Sequence, residues 1–495
     1  MKQTGKALSK LNRAHAVLLL CATTALTISA QTFTTLHIFN YTDGASPYYG
    51  ALVQGTDGNL YGTTSAGGAN GGGTVFKISP SGTLTTLYDF CAQTVNTQCP
   101  DGQSPQGGLI QGADGNFYGT TEEGGANNDG GTVFKITPSG TLTTLYSFCS
   151  QTGCADGATP ISALVQTANG DFYGTTAFGG ANCAPVNGCG TVFKITTSTL
   201  TTLYNFCSQS NCADGETPYA GLVQATNGDL YGTTGYGGAN GSGTVFRISP
   251  SGALTSLYSF CVQDGCPDGH TPASPLVQAG NGDFYGTTLY GASYYGATLF
   301  RITPKGALTT LYAFNSTGSY AALVQATNGD LYGTVTYGGA YRAGMIYKTT
   351  PSGTVTKLFS FCAQSGCPDG GAPVAGLVQD TNGDLYGTTF VGGGVPDETC
   401  PTGCGTVFRL SAGLQPFVRT QLPSSKVGET VEILGTDLTG ATSVTFNGTP
   451  AVSIAVSSSG TEITTIVPPG ATSGTVQVVI PSGTLSSNMP FRVLP

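Results

Sequence analysis

Cysteine is the residue type whose spacing most clearly predicts chemistry in this chain. Fourteen of the 15 cysteines fall into seven pairs that are close in sequence: Cys91 with Cys99, Cys149 with Cys154, Cys183 with Cys189, Cys207 with Cys212, Cys261 with Cys266, Cys362 with Cys367, and Cys400 with Cys404. The even count and the short spacings predict disulfide bonds. Zinc is the alternative, but a zinc site needs four ligands at one point, and these pairs recur far apart with almost no histidine nearby.

Aromatic residues recur at one loop position and are the second candidate for chemistry. A glycine-rich loop follows each Tyr-Gly-Thr segment, and its second residue reads Ala66, Glu123, Phe178, Tyr236, Tyr290, Tyr337 and Val391. With their aromatic and basic neighbours, the candidate ligand-binding residues are Phe178, Tyr236, Tyr290, Tyr294, Tyr295, Tyr337, Tyr341 and Arg342. Exposed rings beside polar loops commonly hold a sugar or a partner protein. The alternative is that the rings fold back over the loops, and the absence of tryptophan weakens the sugar hypothesis.

The sequence offers little for catalysis or for a cofactor. His37 and His270 are the only histidines beyond the first thirty residues, and neither lies in a nucleophile, metal or phosphate-binding motif. Glu122 and Glu123 are a possible carboxylate pair for a glycosidase or a lyase. Adjacent side chains on a strand end point apart, which makes this pair a weak candidate. We therefore expect no catalytic residues, no metal and no cofactor.

Two polar residue sets repeat along the chain and have structural explanations. A glutamine ends the same segment in every repeat: Gln54, Gln111, Gln166, Gln224, Gln278, Gln325 and Gln379. Such a ring of amides would line a channel, but satisfying backbone groups between repeats is the favoured role. An Asp-Gly pair recurs after most cysteine pairs, as at Asp156 and Asp214. One carboxylate per repeat is too few for a calcium cage, so a turn-forming role is favoured.

These residues are carried by seven copies of one unit. The marker tyrosines are Tyr61, Tyr118, Tyr173, Tyr231, Tyr285, Tyr332 and Tyr386, which lie 47 to 58 residues apart. Each unit has four short β-branched or aromatic segments, here named A to D, separated by turns and glycine-rich loops, with no helical periodicity. In every Tyr-Gly-Thr segment the glycine is expected to let an adjacent sheet approach closely. The pattern predicts four-stranded antiparallel sheets.

The first strand decides how the seven sheets are arranged. The seventh unit has segments A, B and C but lacks D, whereas the chain opens with an isolated D-like segment, FTTLHIF at 33–39. A ring in which that segment completes the last sheet leaves no strand over, whereas a linear stack would expose both edges. We predict an all-β, seven-bladed propeller over 31–412, closed by its N-terminal strand.

The first thirty residues and the overall charge predict the compartment. Residues 1–30 have a basic leader, an apolar run and a small-residue cleavage site, which is typical of a secretory signal peptide. Removing Lys2, Lys6, Lys10 and Arg13 from the 17 basic residues leaves 13 against 26 acidic ones, a balance of −13. This acidity argues against nucleic acid as a partner. We expect a secreted or cell-surface protein with no transmembrane segment.

The C-terminal region, 413–495, has short alternating strands that predict a small β-sandwich. It resembles the IPT/TIG immunoglobulin-like family through Gly435, Val444-Thr445-Phe446-Asn447-Gly448, Val467-Pro468-Pro469-Gly470-Ala471 and Gly474. The repeats resemble the GloVer-type (choice-of-anchor) tandem-repeat family of exported bacterial proteins through LVQ, NGDLYGTT, GGTVFKI and LTTLYSF. This resemblance implies an exported surface protein and brings no catalytic residues with it.

Together these features favour an exported, non-enzymatic binding or adhesion protein, or a cell-surface scaffold, that uses the loop face of a propeller. The expected partner is an extracellular glycan or protein. An extracellular carbohydrate-active enzyme on the same fold is the first alternative. A structural component of the cell envelope is the second.

Overall fold

A computed structural model describes residues 31–494 except 95–97, 184–188, 198, 292–295, 317, 319 and 395–398. The predicted signal peptide, 1–30, lies outside the described residues. Across the described ranges the chain forms 38 short strands and two single-turn 3₁₀ helices, Thr152–Cys154 and Ser210–Cys212. None of the helices described is long and apolar enough to cross a membrane.

The four segments of each repeat form four strands. The first strand of the chain is β1 (Thr32–Ile38), and blade 1 follows as β2 (Val53–Gln54), β3 (Leu60–Thr64), β4 (Thr74–Ile78) and β5 (Leu84–Asp89). Blade 2 contains β6 (Ile110–Gln111), β7 (Phe117–Thr121), β8 (Thr132–Ile136) and β9 (Leu142–Ser147). Blade 3 contains β10 (Val165–Gln166), β11 (Phe172–Thr176), β12 (Thr191–Thr196) and β13 (Thr199–Asn205).

The remaining blades repeat this pattern. Blade 4 contains β14 (Val223–Gln224), β15 (Leu230–Thr234), β16 (Thr244–Ile248) and β17 (Leu254–Ser259). Blade 5 contains β18 (Val277–Gln278), β19 (Phe284–Thr287), β20 (Thr298–Ile302) and β21 (Leu308–Ala313). Blade 6 contains β22 (Val324–Gln325), β23 (Leu331–Val335), β24 (Met345–Thr349) and β25 (Val355–Ser360). Blade 7 contains β26 (Val378–Gln379), β27 (Leu385–Thr389) and β28 (Thr406–Ser411).

The first strand completes the seventh blade, as the sequence predicted. The sheet order of that blade is β1-β28-β27-β26, with β1 antiparallel to β28 from Thr32 opposite Ser411 to Ile38 opposite Thr406. We call the place where blade 7 meets blade 1 the seam. There, Gln54 Nε2 of blade 1 donates to Asp380 Oδ1 of blade 7 at 2.7 Å. The seven sheets therefore form a closed propeller.

Aromatic rings fill the space between neighbouring blades. The buried Tyr61 ring stacks on Phe117 of blade 2 with centroids 3.9 Å apart, and Phe90 meets Phe134 edge-to-face at 5.2 Å. Strand β3 is buried along its whole length because both faces of the sheet are covered. Burial on both faces explains why the inner strands show so little alternation between polar and apolar residues.

The glycine of each Tyr-Gly-Thr segment makes room within its own blade, and not for an adjacent sheet as predicted. Gly62 pairs with Phe76 of the next strand, and a Cβ at Gly62 would lie 2.7 Å from both the Phe76 ring and Leu52. The ring folds across the glycine because no side chain blocks it.

The repeated glutamines connect the blades by hydrogen bonds to the backbone. Gln111 Oε1 accepts from the Thr56 N–H of the preceding blade at 3.0 Å, and Gln166 Oε1 accepts from Ala113 N–H at 2.9 Å. At the seam, Gln54 Oε1 accepts from Thr381 N–H at 3.3 Å. These bonds support the structural role over a polar channel site.

The cysteine pairs named from the sequence are joined by disulfides in the structure. The bonds link Cys91 to Cys99, Cys149 to Cys154, Cys183 to Cys189, Cys207 to Cys212, Cys261 to Cys266, Cys362 to Cys367, and Cys400 to Cys404. Five of them lie in connections between one blade and the next, and the other two, at Cys183 and Cys400, lie between strands B and C. Because the partners are only 4 to 8 positions apart, each bond restrains one loop and connects no two blades.

The Asp-Gly carboxylates organise the same connections between blades. Asp156, which is fully buried, accepts hydrogen bonds from the Tyr146 hydroxyl at 2.8 Å and from the Ser150 N–H at 3.0 Å. The disulfide between Cys149 and Cys154 closes the loop around this carboxylate. A carboxylate engaged in this way supports the turn-forming role.

The C-terminal strands form a small immunoglobulin-like sandwich. Its strands are β29 (Arg419–Thr420), β30 (Ser424–Lys426), β31 (Thr430–Leu434), β32 (Ser443–Phe446), β33 (Thr449–Pro450), β34 (Ile454–Val456), β35 (Glu462–Ile466), β36 (Val476–Ile480), β37 (Gly483–Ser486) and β38 (Arg492–Leu494). The two main sheets have the orders β29-β31-β35-β34 and β33-β32-β36-β37. Ile433, Phe446, Ile463 and Val478 lie in the core between them.

The sandwich contacts the propeller on the face that carries the tight turns between strands A and B. Arg419 Nη2 donates to the Gln54 carbonyl at 2.9 Å, Gln421 Nε2 donates to the Gly112 carbonyl at 2.7 Å, and Thr461 Oγ1 donates to the Thr56 carbonyl at 2.6 Å. These contacts span blades 1 and 2 beside the seam. The loops between strands B and C, and between successive blades, lie on the opposite face.

Candidate binding site on the loop face

The loops between strands B and C are tied to the loops that enter each blade. Backbone bridges join Ala158 to Phe178, Glu216 to Tyr236 and His270 to Tyr290. These bridges hold the second residue of the B–C loop, the position that the sequence analysis compared between blades, at the rim of the blade. Its backbone is fixed by the scaffold, while its side chain is free to differ from blade to blade.

The predicted aromatic arc does not form one surface. Phe178 lines a pocket at the propeller axis, and Tyr236, with 43% of its surface exposed, lies 6.2 Å from the Tyr219 ring in an edge-on arrangement. The half-buried Tyr290 instead stacks on His270, with centroids 5.1 Å apart. Tyr290 therefore packs against the connection that enters its blade and not against Tyr236 or Tyr337.

The rest of the arc lies away from the axis. Tyr337 and Arg342 line a separate cavity at the junction of blades 5 and 6. Tyr341 is 54% exposed and lines neither this cavity nor the axial pocket. Tyr294 and Tyr295 lie outside the described residues.

A pocket at the centre of the loop face brings together side chains from five blades. Its outer part has a volume of about 370 Å³ and is lined by Tyr48, Tyr49, Ser65, Gln106, Glu122, Thr159, Ile161, Ala177, Phe178, Tyr219 and Phe390. It continues into a channel of about 240 Å³, which also includes Tyr320 and whose walls come from the A strands of the blades and the residues just before them. We call the outer part and the channel together the axial pocket.

Four tyrosines dominate the axial pocket, and sequence reasoning missed all of them. The Tyr48 and Tyr49 ring centroids are 4.0 Å apart, Tyr49 lies 4.5 Å from Tyr320, and Tyr48 lies 4.9 Å from Phe390. Tyr49, Tyr219 and Tyr320 occupy the same place in their blades, three residues before the buried leucine that precedes strand A. This position could have been found in the sequence, because it varies between repeats whereas the residue after it is small in every repeat.

The small residues around these tyrosines are required by crowding at the axis. A Cβ at Gly50 would lie 2.8 Å from the backbone of Gly108 in the next blade. A Cβ at Gly235 would lie 2.8 Å from the Tyr219 ring, so that glycine leaves the space in which the ring rests. Close packing of the backbone at the axis thereby leaves room for these rings in the axial pocket.

Three phenol groups of the pocket, those of Tyr49, Tyr219 and Tyr320, have a raised pKa and stay protonated over the whole physiological range. Burial and the neighbouring tyrosines raise the pKa of Tyr219 to about 12, and burial and Tyr48 raise the pKa of Tyr320 to about 12. Burial and the hydroxyl of Tyr48 raise the pKa of Tyr49 further. Each hydroxyl is therefore a neutral group that can both donate and accept a hydrogen bond.

One carboxyl group faces the pocket. Glu122 lines it, accepts hydrogen bonds from Gln106 Nε2 and from Ser104 Oγ, and has its pKa raised by burial and by the charge of Glu123. Glu123 does not line the pocket. It accepts from Gln103 Nε2 at 3.3 Å. The two carboxylates therefore do not form a facing pair, as their adjacency predicted.

In the described part of the chain, the cysteines that lie close enough together to bind a metal ion are joined in disulfides. Two clusters are close enough to hold an ion: one contains Cys183, Cys189 and Cys207, and the other contains Cys207, Cys212 and Glu216. Every cysteine in them belongs to a disulfide, so its sulfur is not a thiolate ligand.

The comparisons with protein families place the repeats and the sandwich separately. The model of Gloeobacter/Verrucomicrobia repeats matches residues 22–213 and 155–322, which together span more than half of the chain. The chain belongs to the Gloeobacter/Verrucomicrobia repeat family. The C-terminal sandwich of this repeat protein is an IPT/TIG domain, matched over residues 414–493. Comparison with curated proteins gives no match.

Comparison with solved structures gives several distant matches to this repeat protein. A streptogramin B lyase is 15% identical, with a TM-score of 0.49 over 77% of this chain and 97% of that one. Virginiamycin B lyase from Staphylococcus aureus gives the same identity and TM-score over 77% and 99%. A fungal alcohol oxidase of the AA5 family, in complex with copper, is 14% identical with a TM-score of 0.49 over 91% and 98%. At such values these likenesses carry no argument about this protein.

Proposed function

We propose that this protein is an exported, non-enzymatic binding protein whose axial pocket holds a neutral saccharide. The observation that supports this most directly is the convergence of Tyr48, Tyr49, Tyr219 and Tyr320 in the axial pocket. The connections between blades are closed by disulfides, which are typical of an extracytoplasmic compartment. The IPT/TIG domain covers turns on the opposite face and leaves the loop face available.

The lining of the pocket suits a sugar better than a peptide surface. Ligand pockets usually measure about 300–1,000 Å³, and the outer part of this one, at about 370 Å³, falls within that range. Tyrosine rings supply apolar faces for the C–H side of a pyranose, and their hydroxyls bond its polar edge. Gln106, Ser65 and Thr159 add further donors and acceptors.

Charge around the pocket favours a neutral ligand over an anionic one. Glu122 lies in the wall, Glu123 and Asp129 lie behind it, and the pKa of Glu123 is raised by burial and by Asp129. A carboxylate or sulfate on the ligand would meet these acidic groups without a basic partner, since no lysine or arginine lines the axial pocket within the described residues.

Glu122 also supports a second candidate function, that of a carbohydrate-active enzyme. A half-buried carboxyl group with a raised pKa, facing a pocket, is suited to act as a general acid. Such an acid works in its protonated form, so its activity would fall as the pH rises through the raised pKa. Among the described residues no second carboxylate lines the axial pocket, which weighs against this candidate, and we rank it second.

A glycan array separates the two candidates. We expect the secreted protein to bind a subset of neutral oligosaccharides and to leave them intact in reducing-end and ultraviolet assays of cleavage. Glu122→Gln should change the affinity by less than about tenfold, because it replaces one hydrogen-bonding group with another. Turnover that disappears in Glu122→Gln would establish the enzyme instead.

The control for this experiment lies on the opposite face. Lys305→Gln changes an exposed charge in a tight turn between strands C and D and should leave both binding and stability unchanged. Asp57 is unsuitable as a control, because it accepts hydrogen bonds from Asn59 and from the Tyr61 hydroxyl. Absence of binding to every neutral glycan would overturn the proposal.

A further inference from the structure

The connection between blades 5 and 6 lacks a loop that most of the other connections have. Phe314 and Leu323 are 9 positions apart, whereas the equivalent Phe260 and Leu276 are 16 apart. The shortened connection contains neither a cysteine pair nor an Asp-Gly turn. A disulfide loop therefore does not cover the end of blade 5.

Loss of that loop changes the surroundings of one tyrosine. In four other blades the equivalent hydroxyl donates to the aspartate of the Asp-Gly turn, at 2.8 to 2.9 Å: Tyr88 to Asp101, Tyr146 to Asp156, Tyr204 to Asp214 and Tyr258 to Asp268. Tyr312 has no aspartate in its connection and is 41% exposed. Its ring and hydroxyl are thus presented on the loop face.

A cavity of about 670 Å³ lies where the loop is missing. Its lining includes Tyr312, Asn315 and Ser316 from the shortened connection and Tyr337 and Arg342 from the next blade. Tyr337 is 59% exposed, so two accessible rings border the same space. Two phenol rings, an amide, a hydroxyl and a guanidinium form a lining suited to a polar ring-shaped ligand. We call this cavity the junction pocket.

Arg342 sets the charge of the ligand. Its side chain is exposed, and it is the only basic residue in the loops of this face. Basic residues of strand C pair with aspartates toward the turn face, as Lys194 does with Asp171 at 3.3 Å. Arg342 belongs to none of the ion pairs in the described ranges. In a chain with a large acidic excess, this isolated guanidinium is a site for an anion.

We propose that the junction pocket binds an acidic saccharide, meaning a pyranose unit that carries a carboxylate or a sulfate. Arg342 engages the anion, and the guanidinium fork can do so with two hydrogen bonds. Tyr312 and Tyr337 pack against the sugar ring, while Asn315 and Ser316 bond its hydroxyls. The site is distinct from the axial pocket and does not depend on the function proposed for it.

Oligogalacturonate titrated into the full-length protein by calorimetry tests this inference. We expect binding that weakens with added salt, and that is lost when the carboxylates are methyl-esterified. Arg342→Gln should reduce the affinity by at least about tenfold, and Arg342→Lys should reduce it less, because lysine keeps the charge but loses the second hydrogen bond. Dextran sulfate compared with dextran, which is neutral, tests the second anion in the same way.

Two further variants keep the result specific to the junction pocket. Tyr337→Ala should weaken acidic oligosaccharides by about fivefold or more, whereas Tyr219→Ala, in the axial pocket, should leave their affinity unchanged. Unchanged melting temperatures would show that these substitutions leave the fold intact. The inference is overturned if no acidic saccharide binds, if methyl esters bind equally well, or if Tyr219→Ala removes the binding and Arg342→Gln does not. If acidic saccharides bind but neutral saccharides do not, the result counts against the function proposed for the axial pocket and not against the junction pocket.

Discussion

Removal of residues 31–40 will lower the free energy of unfolding of the propeller by several kcal/mol, a large part of the ~5–15 kcal/mol that an ordinary domain has. The deletion takes the whole of β1 from the seventh blade and exposes the edge of β28. It also removes Phe33, which stacks on Phe359 at 3.9 Å, and Phe39, which is 3% exposed. Truncating a buried phenylalanine alone typically costs about 3–5 kcal/mol.

Urea denaturation followed by circular dichroism measures this loss. Two point variants provide a matched pair on adjacent residues, because Phe39 is buried whereas Ile38 is 44% exposed. Phe39→Ala should shift the first unfolding transition clearly to lower urea, and Ile38→Ala should shift it little. A truncated protein that unfolds at the same urea concentration as the full-length one would show that the first strand does not close the ring.

Replacing Tyr219 and Tyr320 with alanine will weaken saccharide binding at the axial pocket by about 1–3 kcal/mol for each ring, or roughly 5- to 150-fold. Both rings are half-buried in the axial pocket before any ligand binds, and the Tyr320 ring lies 4.5 Å from the Tyr49 ring. Each provides a preformed apolar face whose loss the surrounding loops cannot replace. Isothermal titration with the neutral oligosaccharide that binds best on the array gives the affinities.

Two related variants separate the effect of the ring from that of the hydroxyl, and the axial pocket from the rest of the surface. Tyr219→Phe keeps the ring, so it should recover most of the affinity if packing dominates. Tyr341→Ala removes an exposed tyrosine that lines neither pocket and should have no effect on binding. Equal losses in Tyr341→Ala and Tyr219→Ala would mean that the effect is not local to the axial pocket.

The architecture was predictable because it depends on repetition and on strand counting. Seven Tyr-Gly-Thr segments indicated seven sheets, and the isolated D-like segment before the first repeat indicated how the ring closes. The seam contains details that this pattern does not encode. Asp380 replaces the small residue or threonine that follows the glutamine in the other blades, and it accepts a hydrogen bond from Gln54 across the seam.

The candidate site was only partly predictable, because its residues converge through ring closure. Tyr49 and Tyr320 are 271 positions apart in sequence but 4.5 Å apart as ring centroids. Comparing one loop position across blades found Phe178 but could not show that Tyr337 faces a different cavity. The contact of the IPT/TIG domain through Arg419 and Gln421 could not be predicted either. Both side chains donate to backbone carbonyls, so no particular partner side chain is required in the sequence.

Hydrogen–deuterium exchange with and without a neutral oligosaccharide tests the location of the binding site most directly. The axial pocket predicts slower exchange in peptides covering 45–52, 104–109 and 217–222, which carry Tyr48, Tyr49, Gln106 and Tyr219. It predicts no change in the tight turns of the opposite face or in the IPT/TIG domain. Protection confined to residues 414–493 would place the function in the sandwich and contradict a binding role for the loop face.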